Sequence, residues 1–197
     1  DRHRIPNPFW FEDYGADCVQ HLRGMFAFAL WDKSEQRLLV VRDRLGIKPL
    51  YYTVIEDTLI FGSEIKSILQ HPLIRPRLDQ GALSNFLSLK YIPAPQTLFA
   101  GIQALPPGWL LTCDAAGVKT RSYWELSYAP NARYQQTEDE CAEELEALLK
   151  ESVKIHLMSD VPFGAFLSGG VDSSMVVALM SGFMNEPGKT FAVGFEG

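Results

Sequence analysis

The sequence lacks paired cysteines, basic clusters and long apolar runs, and each absence removes a class of protein. Its three cysteines, Cys18, Cys113 and Cys141, lie far apart and form no CxxC pair. A redox or metal-thiolate site is therefore not expected, and a reduced, cytoplasmic compartment is predicted. The net charge of −6 and the absence of a Lys/Arg run argue against a nucleic-acid partner. No apolar run reaches the roughly 18 residues of a membrane helix, so no membrane association is predicted.

Two common phosphate-binding motifs are also missing. The sequence has no G-x-x-x-x-G-K-[ST], which excludes a Walker P-loop, and no G-x-G-x-x-G, which leaves the usual dinucleotide fold without support. With 47% hydrophobic and 21% charged residues, the composition is that of an ordinary globular protein.

The first part of the chain has the sequence pattern of a β-sheet structure. Short apolar runs at 25–31, 38–41, 50–53 and 59–61 alternate with turn signals, which predicts an antiparallel meander. Residues 26–31 are apolar on both faces, as in a central strand that is covered on each side. Asp79 is predicted to be the N-cap of the helix that follows it. A final hairpin is predicted from 109–113 and 118–124. The proline-rich stretch 91–108 is predicted to be a stiff loop.

The second part alternates strand and helix signals. Thr137 and Glu140 form a capping-box pattern that predicts the start of a long helix, and His156 is interpreted as a residue at its end rather than a catalyst. Cys18 is likewise interpreted as a half-buried helix cysteine rather than a nucleophile. We predict a first domain at 1–126, a linker at 127–136 and a second domain at 137–197.

Residues 161–174 carry the chemistry. An apolar strand is followed by Ser168-Gly169-Gly170-Val171-Asp172-Ser173-Ser174 and then by an apolar helix. Glycines let backbone N–H groups approach phosphate, the serine hydroxyls can donate hydrogen bonds, and a helix N-terminus adds positive partial charge. Asp172 would repel phosphate, so its presence indicates Mg²⁺ bound through a di- or triphosphate. The alternative is a plain tight turn with Asp172 as an N-cap.

This motif resembles the pyrophosphate loop of the N-type ATP pyrophosphatases, which cleave ATP to AMP and pyrophosphate. Further stretches narrow the resemblance to the asparagine synthetase family and have the order and spacing of that family from about Glu12 to Gly197. These stretches lie at 22–32, 42–52, 62–66, 91–95, 105–108 and 156–162.

The resemblance implies a fold and a mechanism. The first part is expected to belong to a four-layer αββα glutaminase domain with an N-terminal nucleophile, and the second to a doubly wound parallel α/β domain. Glutamine would be hydrolysed at one site, and ammonia would reach the other. There ATP and Mg²⁺ would convert aspartate to β-aspartyl-AMP with release of pyrophosphate, and ammonia would then displace AMP. The implied partners are glutamine, aspartate and ATP, and a homodimer is left open.

Residue by residue, the resemblance assigns a nucleotide site and no catalytic residue. Leu167 and Val193 match ATP contacts at the ends of two strands, although both would otherwise be interpreted as strand core. The family's nucleophile is the N-terminal Cys of the mature enzyme, which this sequence does not contain. We therefore interpret the sequence as part of a longer chain. The pyrophosphate and its metal would be held by Ser168, Gly169, Gly170, Asp172, Ser173 and Ser174.

Two other interpretations remain open at this point. The first is a related amidotransferase or β-lactam synthetase that acts on another carboxylate, because the acceptor pocket would lie beyond Gly197. The second is a truncated nucleotide-binding protein without catalysis, which the missing Cys favours and the intact loop opposes.

Overall fold

The computed structural model describes residues 8–128, 136–159, 161–184 and 188–194. The chain divides into two units, Asp1–Tyr128 and Ala129–Gly197, and each is described by itself. The predicted linker lies mostly outside the described residues, as does the start of the chain. The predicted mixed α/β class is confirmed. The four-layer and doubly wound arrangements and the domain boundaries stay predictions.

The first unit contains two separate β-sheets, so the predicted single meander is wrong. Strands β1 and β2 form one hairpin and β3 and β4 form another, but β2 pairs with β6 instead of β3. The sheets have the orders β1-β2-β6-β7 and β4-β3-β5. The strands are β1 (Ala27–Asp32), β2 (Arg37–Arg42), β3 (Tyr51–Ile55), β4 (Thr58–Gly62), β5 (Gln103–Ala104), β6 (Trp109–Asp114) and β7 (Gly117–Ser122).

The four-stranded sheet is buried on both faces at its centre. Leu39 and Val41 of β2 face Cys18 and Val19 of a 3-10 helix at Gly15–His21. Val40 points to the opposite face and packs with Leu50, Leu105 and Leu111. This alternation places a helical layer on one side and the second sheet on the other. Strand β1, predicted to be central, lies instead at the edge of the described sheet.

The β6–β7 hairpin is confirmed, with Trp109 opposite Ser122 and Asp114 opposite Gly117. The proline-rich stretch is mainly loop, but it contains β5, which pairs with β3. Backbone N–H groups of Ala104 and Leu105 donate to the carbonyl groups of Pro95 and Leu50. This loop is therefore joined to the three-stranded sheet by hydrogen bonds that its proline content does not predict.

Three α-helices complete the described part of the first unit. Asp79 caps α3 by accepting a hydrogen bond from the Ala82 N–H at 2.9 Å, and Ala82 is fully buried. The short helix α2 follows β4 and buries Ile68. The helices are α1 (Pro8–Tyr14), α2 (Ile65–Ile68) and α3 (Gln80–Leu89).

The second unit is built from α4 (Glu138–His156), β8 (Gly164–Phe166), α5 (Val171–Ser181) and β9 (Lys189–Phe191). The two strands are parallel, so β8, α5 and β9 form a parallel crossover unit. The predicted strand at 161–167 is shorter than expected. No helix among the described residues is long and apolar enough to cross a membrane.

The capping box at the start of α4 is confirmed. The Thr137 hydroxyl accepts a hydrogen bond from the Glu140 N–H at 3.3 Å, and the Glu140 carboxylate accepts one from the Thr137 N–H at 2.8 Å. This reciprocal pair satisfies N–H groups that the helix itself cannot use.

Replacing Glu140 by glutamine is expected to remove a pH-dependent contribution to the stability of α4. Hydrogen bonds from the Thr137 N–H and then from its hydroxyl hold the pKa of Glu140 below its ordinary value of 4.5. The folded chain therefore binds this proton less readily than the unfolded chain. The contribution is present above pH 4.5 and is lost as the pH falls through the lowered pKa. Thermal unfolding followed by circular dichroism should show a difference between parent and variant at about pH 7 that disappears near about pH 3. A difference that stays constant over this range would contradict the prediction.

Candidate functional site

The glycine-serine loop lies between the C-terminal end of β8 and the first turn of α5. Gly170 is the N-cap of α5 and has no side chain with which to cap it. The first N–H groups of the helix are therefore not covered by a capping side chain. Because these groups carry the positive end of the helix dipole, the loop can receive an anion there.

The serine hydroxyls of the loop are held by hydrogen bonds within it. The Oγ atoms of Ser168 and Ser173 lie 3.0 Å apart, and the Ser168 N–H donates to Ser173 Oγ at 3.3 Å. Ser173 Oγ also lies 3.1 Å from the Gly170 carbonyl oxygen. The Ser174 hydroxyl donates to the same carbonyl at 2.8 Å. The loop thus closes on itself, with Ser168 and Ser173 as its paired hydroxyls.

Gly169 adopts a backbone conformation that other residues rarely take. Its φ is +80°, and a Cβ atom there would meet nothing within 4 Å. The position therefore requires glycine for its backbone angle and not for lack of space. The open space beside the Gly169 backbone leaves room for a ligand to approach it.

Leu167 and Val193 lie at the same edge of the β8–β9 pair. Leu167 follows β8 directly, and its N–H donates to the Phe191 carbonyl at 2.8 Å. Val193 lies two positions after the end of β9 and is 77% exposed. Neither is buried strand core among the described residues. Ligands of parallel α/β sheets bind beyond the carboxyl ends of the strands, which is where both residues lie.

Asp172 is exposed in the first turn of α5. No cluster of three or more His, Cys, Asp or Glu side chains that could hold a metal occurs in the described part of the chain. One exposed carboxylate beside a phosphate cradle fits Mg²⁺, which usually binds through one or two carboxylates, phosphate oxygens and water. A single carboxylate does not fit a metal that is held by protein ligands alone.

Cys18 and His156, which the sequence did not favour as catalysts, both lie in helices as predicted, although Cys18 is fully buried and not half-buried. Cys18 is 1% exposed in the 3-10 helix. Burial, and after it the Asp17 carboxylate, raise the pKa of its thiol, which disfavours the reactive thiolate. His156 is the last residue of α4, and its Nδ1 donates to the Ser152 carbonyl at 2.8 Å. Both residues have structural explanations.

Gly164, which no sequence motif indicated, allows β8 and β9 to approach each other. A Cβ atom at Gly164 would lie 2.7 Å from the Lys189 carbonyl oxygen and 2.7 Å from a ring carbon of Phe191. A glycine inside a predicted strand can indicate such an approach, and Gly164 lies within the apolar run 161–167. The residue has no chemistry of its own, but it sets the pairing that places Leu167 beside β9.

Two family models match the chain, one in each part. Residues 9–124 match a glutamine amidotransferase domain. Residues 144–197 match asparagine synthase. The second match contains the whole of the glycine-serine loop and both strand-end residues.

Similar proteins match nearly the whole chain. Asparagine synthetase [glutamine-hydrolyzing] 3 of Bacillus subtilis is 38% identical over 189 residues, which are 93% of this chain and 30% of that protein. Asparagine synthetase [glutamine-hydrolyzing] 1 of the same organism is 39% identical over 189 residues, 94% of this chain and 29% of that protein. Amidase chry2 of Gibberella zeae is 37% identical over 181 residues, 91% of this chain and 26% of that protein. The chain therefore spans less than a third of the length of these three relatives.

Proposed function

The chain belongs to the glutamine amidotransferase family and matches the asparagine synthase family in its second part, and we propose that the protein makes asparagine from aspartate. Ammonia would come from glutamine. The reaction would consume ATP, pass through β-aspartyl-AMP and release AMP and pyrophosphate. The observation that carries the proposal is the open loop 168–174 between a parallel strand and a helix N-terminus, in a chain with this pair of family matches.

In the activation step, a side-chain carboxylate oxygen of aspartate attacks the α-phosphorus of ATP. The bond from that phosphorus to the bridging oxygen breaks, and pyrophosphate leaves with the electron pair. In the second step ammonia attacks the acyl carbon, AMP leaves and one proton is released. Both steps balance without an oxidant or reductant. They require that the leaving pyrophosphate be held and its negative charge be compensated.

The loop supplies the groups for holding pyrophosphate. The uncapped N–H groups at the start of α5 and the hydroxyls of Ser168 and Ser173 would donate hydrogen bonds to phosphate oxygens. The Ser168–Ser173 hydrogen bond would be exchanged for bonds to the ligand. Mg²⁺, held by Asp172 and the phosphates, would supply positive charge. Leu167 and Val193 would contact the nucleotide at the strand ends.

The Ser174 hydroxyl is assigned a structural role within this site. It donates to the Gly170 carbonyl four residues earlier, which is the usual local bond of a serine in a helix. It would keep that bond when the nucleotide is present. Ser173 Oγ lies 3.1 Å from the same carbonyl oxygen. Within the described part of the chain, Ser168 is the loop serine whose hydroxyl makes no bond to a backbone carbonyl, so it is the strongest candidate for a phosphate contact.

Replacing Asp172 by alanine is expected to weaken Mg·ATP binding by at least about tenfold, because one charged metal contact contributes about 1.4 kcal/mol or more. Equilibrium dialysis of the full protein with ATP and Mg²⁺ would measure this. Asp139→Ala is the matched control, because Asp139 is also an exposed carboxylate in the first turn of a helix, α4. Equal ATP binding by the parent and Asp172→Ala would remove Asp172 from the site.

A second candidate is an amidotransferase that acts on a carboxylate other than that of aspartate. Relatives named Amidase chry2 and Amidase chyE are 37% and 36% identical to this chain, close to the values for the asparagine synthetases. An assay of the full protein with ATP, glutamine and aspartate separates the two. Equal yields of asparagine, AMP and pyrophosphate support the first proposal. Glutamine-dependent AMP release only with another carboxylate supports the second, and ATP binding without turnover supports a non-catalytic protein.

A further inference from the structure

A cavity of about 300 Å³ lies in the first unit. Its wall includes Arg42 at the end of β2, Tyr51 at the start of β3 and Gln96 from the proline-rich loop. Apolar side chains from α2 and the same loop complete it, among them Ile65, Ile92, Leu98 and Phe99. Its volume is at the small end of the range of ligand pockets, about 300–1,000 Å³.

Arg42 brings a positive charge to this cavity. Its Nε, Nη1 and Nη2 donate to the carbonyl oxygens of Lys48, Leu105 and Gly46 at 2.9, 2.7 and 2.8 Å. These acceptors are neutral, and no carboxylate of the described residues forms an ion pair with Arg42. A guanidinium has five N–H donors, so one on each terminal nitrogen is left for a ligand. Burial lowers the pKa of Arg42, with Tyr51 and Asp43 acting against it, and a guanidinium remains charged in proteins.

Two further donors line the same cavity. The Tyr51 hydroxyl makes no hydrogen bond within the described part of the chain. The Gln96 side-chain oxygen accepts from Asn85 Nδ2 at 2.9 Å, which leaves the Gln96 amide N–H₂ to donate. The fourth polar side chain of the wall, Thr97, is already bonded to the carbonyl oxygens of Phe99 and Ile102. The cavity therefore offers a cation and several free donors beside an apolar wall.

We propose that the Arg42–Tyr51 cavity is a binding site for a small organic carboxylate with an apolar chain. A carboxylate has only acceptors, and its two oxygens fit the remaining guanidinium donors and the Tyr51 hydroxyl. The Arg42 guanidinium is half-buried and forms no direct ion pair within the described part of the chain, and a bound carboxylate would give it one. Ile65, Ile92 and Leu98 would contact the apolar chain. None of its lining residues belongs to the glycine-serine loop, and the proposal does not depend on the proposed reaction.

The test uses isovalerate as the probe, isovaleramide as its neutral isostere and acetate as the carboxylate without the apolar chain. Titration of the full protein, followed by NMR, is expected to show isovalerate binding with a Kd on the order of 1 mM, since a ligand this small binds weakly. The amide shifts of Thr97 and Ala104, which line the cavity, should move. Acetate should bind more weakly, and isovaleramide should not bind.

Tyr51→Phe keeps the ring, removes the hydroxyl and should weaken isovalerate binding about tenfold, as expected for loss of a hydrogen bond to a charged group. Tyr52→Phe is the matched control. Neighbouring residues of a strand face opposite sides, and Tyr52 packs against the core between the sheets and donates to Gln103 at 2.7 Å. The Tyr52→Phe variant should bind isovalerate with the same affinity as the parent protein. Binding of isovaleramide as tight as that of isovalerate, equal affinities for parent and Tyr51→Phe, or no saturable isovalerate binding would each overturn the proposal and leave Arg42 with a structural role alone.

Discussion

Replacing Asp43 by alanine is expected to lower the free energy of unfolding by at least about 3 kcal/mol. Asp43 is 1% exposed. Its Oδ1 accepts hydrogen bonds from the N–H groups of Leu45 and Ile47 at 3.2 and 3.0 Å. Its Oδ2 accepts from Phe26 and Lys48 at 3.3 and 2.9 Å. Alanine would remove the buried acceptor that four backbone N–H groups share, and a hydrogen bond to a charged group contributes about 1.5–3 kcal/mol.

Urea unfolding followed by tryptophan fluorescence would measure this loss. Asp32→Ala is the matched control, because Asp32 Oδ1 accepts from two backbone N–H groups, those of Ser34 and Glu35, in an exposed turn. Water can replace that acceptor, so the control should lose only about 1 kcal/mol. Equal losses for the two variants would contradict the assignment of Asp43 as the organiser of the turn at 43–48.

The loss at Asp43 should extend to the Arg42 cavity. Two of the three carbonyl groups that hold Arg42 belong to Gly46 and Lys48, and both lie in the turn that Asp43 shapes. Where Asp43→Ala still folds, its isovalerate affinity should be lower than that of Asp32→Ala. The buried carboxylate thus connects the stability of the first unit with the position of the guanidinium.

Replacing Gly164 by alanine is expected to separate β8 from β9 and to destabilise the second unit by about 2–3 kcal/mol, the usual cost of an overpacked site. The new Cβ atom would lie 2.7 Å from the Lys189 carbonyl oxygen, where no such contact is tolerated. The Phe191 ring can rotate away from it, but the Lys189 backbone can move only by disturbing the pairing of β8 with β9. Leu167 would then lose its hydrogen bond to the Phe191 carbonyl.

Hydrogen exchange of the Leu167 amide would report this separation. The Leu167 N–H donates to the Phe191 carbonyl, directly after the last paired residues of β8 and β9. The exchange rate should rise at least about tenfold in Gly164→Ala, which corresponds to about 1.4 kcal/mol. Gly194→Ala is the control, since a Cβ atom at Gly194 would meet nothing within 4 Å. Under the proposed function, Mg·ATP binding should weaken in Gly164→Ala and not in Gly194→Ala. Unchanged exchange at Leu167 would show that the strands tolerate the methyl group.

Features formed by residues close in sequence were predicted correctly. The cap of α3 joins Asp79 to Ala82, and the capping box of α4 joins Thr137 to Glu140. The strand, glycine-serine loop and helix around Ser168–Ser174 are also consecutive. In each case the interacting groups are a few residues apart, so the local sequence contains both partners of the interaction.

The pairing of the strands was decided by tertiary structure. Alternating apolar residues indicated that β2 and β3 exist, but the same pattern suits any neighbour. In the structure β2 pairs with β6, where Leu38 lies opposite Cys113, and Asp43 turns the chain away before β3 begins. Burial of β2 on both faces follows from its pairing with β6. The position of β1 at the edge follows as well, although its apolar character favoured the centre.

The amino-acid sequence by itself determined the helix caps, the hairpin at β6–β7 and the composition of the candidate nucleotide loop. Only the tertiary structure decided which strands are neighbours, that Gly164 must lack a side chain, and that Arg42, Tyr51 and Gln96 line one cavity. The physical reason is the range of the interactions. Caps and turns are satisfied by groups within a few residues, whereas strand partners, close approaches and cavities depend on residues brought together from distant parts of the chain.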